Sequence, residues 1–157
     1  MKIGIIADTH DNLPKIKKAL ALFKMRGCEA IVHAGDVIAP FAAKALRALK
    51  LPIYAVYGNN DGERKGLAEL LDIADGPRLV KLGERTILLA HSDAQVTPEA
   101  AKGADLVVVG HTHVAGIKRD QKPQVLNPGE AGGWLYGKAT VAVVDTVRMS
   151  IEEFSLD

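Results

Sequence analysis

Residues 3–10 read Ile-Gly-Ile-Ile-Ala-Asp-Thr-His, an apolar run that stops abruptly on an aspartate and, two residues later, a histidine. A continuous β-rich run without polar alternation is the pattern of a strand covered on both faces. A helix is predicted next. Asp11 or Asn12 caps it, Pro14 fits its first turn, Ile16, Leu20 and Phe23 recur at helical spacing, and Gly27 fits just past its end. Ala30-Ile31-Val32 reads as a second strand, Phe41 to Leu49 as a second helix, Pro52 to Tyr57 as a third strand and Leu67 to Leu71 as a shorter helix. Strand–helix–strand alternation of this kind implies right-handed crossovers and a largely parallel sheet.

Further along, the pattern changes. Arg78–Lys81 and Arg85–Ala90 flank Leu82-Gly83-Glu84, a hairpin-like junction, and Leu106–Val109 is another apolar run. Beyond His113 helical patterns stop, and the remaining segments read as antiparallel strands. In the last of them Val147, Met149 and Ile151 alternate with Arg148, Ser150 and Glu152, which predicts one buried and one wet face. The outline is a mixed α/β domain over residues 1–157, two packed sheets with helices outside, without repeats or linkers.

Composition bounds the function. With 157 residues the chain has the size of one domain and buries roughly 70% of its unfolded surface. A hydrophobic share of 48% against 25% charged excludes general disorder. Twenty basic against nineteen acidic residues give a formal charge of +1, which argues against a partner such as long nucleic acid but permits small anionic substrates. No apolar run approaches the ~20 residues of a membrane helix, and the first is too short for a signal peptide core, so a soluble cytoplasmic protein without a membrane partner is expected. The single cysteine, Cys28, excludes an internal disulfide or a thiolate-rich zinc site and reads as inert packing.

The chemistry lies where the strands end. Ile3–Ala7 leads to Asp8-Thr9-His10, and Ile31–Val32 to His33-Ala34-Gly35-Asp36. Ile53–Tyr57 leads to Gly58-Asn59-Asn60-Asp61, Ile87–Ala90 to His91, and Val107–Val109 to Gly110-His111-Thr112-His113. Carboxyl ends of strands in α/β sheets are where ligands bind, so these residues are expected to converge on one crevice. Singly, each has an ordinary explanation: Asp8 as a capping residue, Gly35-Asp36 and Asn59-Asn60-Asp61-Gly62 as turns, His91 as a satisfied strand-end histidine. Chance must account for all five together, including four of the five histidines.

In this order, D-x-H, G-D, G-N, H and G-H-x-H, the motifs resemble those of the calcineurin-like metallophosphoesterases, and the length resembles their small single-domain phosphodiesterase subgroup. The resemblance implies a four-layer αββα sandwich of two mixed β-sheets flanked by helices, with a two-metal site at its edge. It implies that Asp8, His10, Asp36 and His113 hold one ion and that Asp36, Asn59, His91 and His111 hold the other, Asp36 bridging. Asp36, Asn59 and His111 are expected to carry the catalysis. Imidazole and carboxylate ligands suit two divalent transition metals, manganese first, with nickel, cobalt, iron or zinc as alternatives. The implied activity is hydrolysis of small phosphodiesters by a metal-bridging hydroxide attacking phosphorus in line. Alternatives are a phosphomonoesterase or pyrophosphate-cleaving enzyme, or a non-catalytic protein-binding scaffold resembling the retromer subunit of this fold.

Two departures stand out. Many members carry G-N-H-D where this chain has Gly58-Asn59-Asn60-Asp61, so Asn60 cannot be a general acid and is instead a candidate substrate contact. Loss of a cation there favours monoanionic diesters. His91-Ser92-Asp93 lacks the glycine that often follows the histidine. Elsewhere, residues 132–139 match P-loop spacing, but Ala139 replaces the magnesium-binding hydroxyl and a strand follows, which rejects that reading. His33 reads as a half-buried structural histidine, with a supporting role behind the ligands as the alternative. Trp134 and Tyr136 are candidates for stacking on a base, for the interface of a homo-oligomer, or for edge packing.

Overall fold

The first apolar run lies at the centre of a sheet. In the computed structural model, which describes residues 1–157, β1 (Lys2–Ile6) pairs in parallel with β2 (Ala30–His33) and antiparallel with β10 (Thr140–Asp145). Between β1 and β2 runs α1 (Leu13–Arg26); Asn12 caps it by accepting the Lys15 N–H at 3.2 Å, and Gly27 ends it at φ +72°. After β2 come α2 (Pro40–Leu46), β3 (Ile53–Val56), α3 (Arg64–Ala68) and β4 (Asp72–Ala74), and β11 (Ser150–Ser155) closes the chain. This first sheet has the order β11-β10-β1-β2-β3-β4.

A second sheet holds β5 (Arg78–Leu82), β6 (Arg85–Leu89), β7 (Leu106–Val108), β8 (Gly116–Lys118) and β9 (Gln124–Asn127) in the order β5-β6-β7-β9-β8. Parallel and antiparallel pairs occur in both sheets, so both are mixed. Between the sheets lies an apolar layer to which Ile3, Ile5, Ala7 and Val32 contribute from one side and Ile87, Leu89, Val108 and Leu126 from the other. Ile6 and Ile31 share a second cluster with Ile16, Leu20 and Phe23 of α1 and Ala42, Ala43 and Leu46 of α2. Each large side chain buried this way contributes about 1.5–3 kcal/mol, and the alternation of faces along β1 is what joins the layers. The α/β sandwich expected from the sequence is thus the architecture observed. Its fourth layer is thin: a 3₁₀ turn (Asp93–Gln95) and further turns bring Val96, Ala100, Ala101 and Ala104 over Leu88, Val107 and Val125. No helix is long and apolar enough to cross a membrane.

Four local expectations are corrected. The second helix stops at Leu46 and continues only as a 3₁₀ turn (Arg47–Leu49), which Lys50 ends at φ +55°. The third helix comes earlier than predicted, at 64–68, and a three-residue strand, β4, follows it. β9 is parallel to β7, not antiparallel, which makes its carboxyl end another contributor to the crevice. Val147 is 75% exposed and lies in a turn, since the Asp145 carboxylate accepts the Val147 and Arg148 N–H groups and delays the last strand to Ser150.

Candidate metal centre

The loops after β1, β2, β3, β6 and β7 meet at one edge of the sandwich and bring together all seven predicted ligands. The first group is Asp8, His10, Asp36 and His113, whose ligand atoms all lie within 4.8 Å of one another. His10 Nε2 is 3.9 Å from Asp8 Oδ1 and 3.6 Å from Asp36 Oδ2, and His113 Nε2 is 3.7 Å from Asp8 Oδ1. The second group surrounds Asn59 Oδ1, with His91 Nε2 at 2.8 Å and His111 Nδ1 at 3.0 Å. Asp36 Oδ2 faces this group too, 3.7 Å from His91 Nε2, so one carboxylate oxygen adjoins both groups.

Holding these side chains inward strains the backbone. Asp8, His10, Asp36, His111 and His113 all have φ between +41° and +70°, the left-handed region that side chains with a Cβ avoid. Such strain costs on the order of 1–3 kcal/mol per residue and persists only where the surroundings enforce it. Here the enforcement is a set of buried side-chain hydrogen bonds. Asp61 takes the N–H groups of Asp36 (3.0 Å), Ile38 (2.7 Å) and Gly58 (2.7 Å), locking the second and third loops together. Asp8 Oδ2 accepts the His111 N–H at 3.0 Å, and Asn127 donates to the Gly110 carbonyl and the Thr112 hydroxyl, both at 2.9 Å. Asp61, read from sequence as turn chemistry, is therefore a support of Asp36.

His33 is fully buried, not half-buried, and the reason is its role. Nδ1 accepts the Gly35 N–H at 3.2 Å, which leaves the proton on Nε2 to donate to Thr9 Oγ1 at 3.1 Å; Thr9 Oγ1 donates in turn to the Asp36 carbonyl at 3.3 Å. The chain of bonds braces the Asp8–His10 loop against the Asp36 loop, and burial holds the imidazole neutral, its pKa pushed down to about 3. Asn60, at the exposed rim, gives its backbone N–H to Asp36 Oδ1 (2.9 Å) and its amide to Asp36 Oδ2 (2.8 Å). The amide is spent on the carboxylate in this arrangement. Glu130, just past β9, escaped the sequence reading: it is 1% exposed, lies 3.3 Å from His113 Nδ1, and accepts the Trp134 and Leu135 N–H groups at 2.8 and 2.9 Å. A carboxylate two residues beyond Asn127-Pro128, at the end of an apolar run, was the available signal.

The donor set fits divalent cations. Asp8 Oδ1 and His10 Nε2 are buried without any hydrogen-bond partner, an arrangement proteins rarely leave uncompensated. His91 Nδ1 lies 2.8 Å from the Ala34 carbonyl, its natural proton acceptor, and this bond turns Nε2 toward Asn59 Oδ1. A cation between Nε2 and Asn59 Oδ1 would satisfy both atoms. Burial, then the Asp36 charge, push the Asp8 carboxyl up to about 8. The ion-free native state thus keeps a proton that the unfolded chain releases near 3.8. Its stability should fall as pH rises toward 8, by at most about 1.4 kcal/mol per unit. His33 opposes this trend only below about 6.5. Chelator-treated protein is therefore expected to melt lower at pH 8 than at pH 6.5, with added Mn²⁺ raising the melting temperature more at pH 8. A flat profile indistinguishable from that of Asp8→Asn would refute the assignment.

Recesses flank the site on two sides. One of about 280 Å³ is lined by Tyr57, Asn59, Arg64, His91 and His111, the other of about 500 Å³ by His113, Val114, Ala115, Tyr136, Lys138 and Thr140. A cavity of about 660 Å³ at the opposite strand ends, near Arg85, Asp105 and Gln124, contains no histidine.

Two mixed sheets in a sandwich, with histidines, carboxylates and an asparagine gathered at the carboxyl ends of their strands, define a metallophosphoesterase. The chain belongs to the calcineurin-like phosphoesterase superfamily, whose domain profile matches residues 1–149. Over its whole length it is 37% identical to phosphodiesterase MJ0936 of Methanocaldococcus jannaschii, with both chains fully covered. A solved structure described as a novel archaeal phosphodiesterase superposes with a TM-score of 0.90 at 36% identity, covering 99% of each chain. Vps29 of Chaetomium thermophilum, at 17% identity and a TM-score of 0.71 over 99% of this chain and 94% of its own, shares the fold alone. Family and donor set together call for divalent metal ions.

Proposed function

We propose that this protein is a metal-dependent phosphodiesterase that hydrolyses small phosphodiesters. The observation that carries the reading is the convergence of seven potential ligands from five strand ends on two adjoining groups, with buried donor atoms left unpartnered. Asp8, His10, Asp36 and His113 would hold one ion, and Asp36, Asn59, His91 and His111 the other. Ions bound there would polarise the phosphoryl oxygens and bring the pKa of a bound water close to neutrality. Manganese is the metal we favour, on the mixed imidazole and carboxylate donors.

The chain's own residues supply position. Asp36 is held from both sides, by Asn60 on its carboxylate and by Asp61 on its backbone. His91 is fixed in one tautomer by the Ala34 carbonyl, so its Nε2 keeps a lone pair for the centre. Asn59 presents an uncharged oxygen beside two imidazoles, and recesses on two sides leave room for both ester groups of a diester. We take the 157 residues to form one catalytic domain working in the cytoplasm. The scaffold alternative is disfavoured because none of the seven positions has lost its ligand side chain.

The test is hydrolysis of a chromogenic phosphodiester beside its monoester by protein stripped of metal and then reconstituted. Activity should vanish on stripping, return with Mn²⁺ and favour the diester, while His111→Ala should cost at least about 100-fold. Activity persisting in metal-free protein, or unaffected in His111→Ala, would overturn the proposal.

A further inference from the structure

The 500 Å³ recess begins at His113, whose Nε2 faces Asp8, so a molecule held at the metal centre reaches the recess directly. Its walls are unusual for an exposed surface. Val114 and Tyr136 are 57% and 58% exposed, leaving an aliphatic face and an aromatic ring uncovered side by side. Lys138 adds an ammonium that no carboxylate of the chain pairs. Thr140 contributes little polarity, because its hydroxyl donates to the Pro128 carbonyl at 2.7 Å.

The segment carrying Tyr136 is tied to the metal-centre loops. Gly132 N–H donates to the Asp8 carbonyl at 3.0 Å, and the Trp134 indole N–H to the His10 carbonyl at 3.2 Å. Glu130 holds the Trp134 and Leu135 N–H groups while its Oε2 lies 3.3 Å from His113 Nδ1. The segment is thereby anchored on the loops of three candidate ligands up to Leu135, one residue before Tyr136. An exposed ring beside an unpaired cation offers stacking to a planar group and charge to an anion, and the volume suits a nucleotide-sized ligand.

We propose that this recess binds a nucleoside ester group of the substrate, its base stacked on Tyr136 and a second phosphate held by Lys138. The inference rests on the phosphodiesterase reading above and narrows it to substrates that carry a nucleoside and a further phosphate.

Calorimetric titration of the Mn²⁺-loaded protein with thymidine 3′,5′-bisphosphate, thymidine 5′-monophosphate and inorganic phosphate tests it. The bisphosphate should bind at least about tenfold more tightly than inorganic phosphate. Tyr136→Ala should lose about tenfold for both nucleotides against less than twofold for inorganic phosphate, and Tyr136→Phe should restore the loss. Lys138→Ala should reduce the bisphosphate to the affinity of the monophosphate. Equal affinities for nucleotide and inorganic phosphate, or losses in Tyr136→Ala that are alike for all three ligands, would overturn the inference. So would sedimentation showing a dimer that Tyr136→Ala dissociates, since a second copy would then cover the recess. Parallel hydrolysis of thymidine 5′-(p-nitrophenyl phosphate) separates the two readings. Selective nucleotide binding without hydrolysis sinks the enzyme assignment and leaves the recess; hydrolysis indifferent to Tyr136→Ala does the reverse.

Discussion

Asp36→Asn is expected to lower metal-dependent phosphodiester hydrolysis by on the order of 10³-fold while the protein still folds. Asp36 is 1% exposed, and its Oδ2 is the one carboxylate atom facing both His10, at 3.6 Å, and His91, at 3.7 Å. Asparagine keeps the shape but removes the negative charge that two neighbouring cations would require between them. It also offers one acceptor where Asn60 supplies two donors, so one of those bonds is lost or inverted. Bound metal per chain, measured by atomic emission, should fall from two to one or fewer. Removing this charge also relieves its repulsion of Asp8, so the Asp8 carboxyl should titrate lower in the ion-free variant. Activity within tenfold of the wild type, with two ions still bound, would remove Asp36 from the centre of the mechanism.

Gly58→Ala should be nearly as damaging, for a steric reason. A Cβ at position 58 would lie 2.1 Å from Asp36 Oδ1 and 2.5 Å from the Asp36 backbone nitrogen. Neither can yield, since Asp61 grips both the Asp36 and Gly58 N–H groups and Asn60 grips the carboxylate. The expected cost is about 1–3 kcal/mol of stability, typical of overpacking. The displaced carboxylate should lower turnover by about 100-fold, as misplacement of a catalytic group commonly does. Gly62→Ala is the control: four residues along, a Cβ meets nothing within 4 Å, and denaturant midpoints should match the wild type. Equal effects of the two substitutions would show that the close approach at Gly58 is dispensable.

Legibility of the site from sequence followed from chemistry and position. Asp8, His10, Asp36, Asn59, His91, His111 and His113 were recognisable because ligand-type side chains follow apolar runs, and strands in α/β sheets deliver their carboxyl ends to one side. Residues that hold the ligands were harder to see. Asp61 and Glu130 work by accepting backbone N–H groups, and a carboxylate in a turn has the same local signature whether or not it does so. Glu130 was also hidden by the misjudged direction of β9, since only a parallel strand brings its carboxyl end to the crevice. The turn at Val147 shows the same limit on the fold: period-2 alternation predicted a buried face, and the Asp145 carboxylate captured two N–H groups and exposed it.

Periodicity and side-chain chemistry are properties of short segments, so the mixed α/β class, the order of the first strands and the candidate ligands are legible in the chain before it folds. Their division about Asp36 was implied by the family resemblance, but why their strained backbone persists and which hydrogen bonds brace it became visible only in the folded chain. The tertiary structure also placed Tyr136 and Lys138 against His113, some twenty-five residues away in the chain. These are relations between loops that meet only when two sheets close over a common core, and no local pattern encodes them.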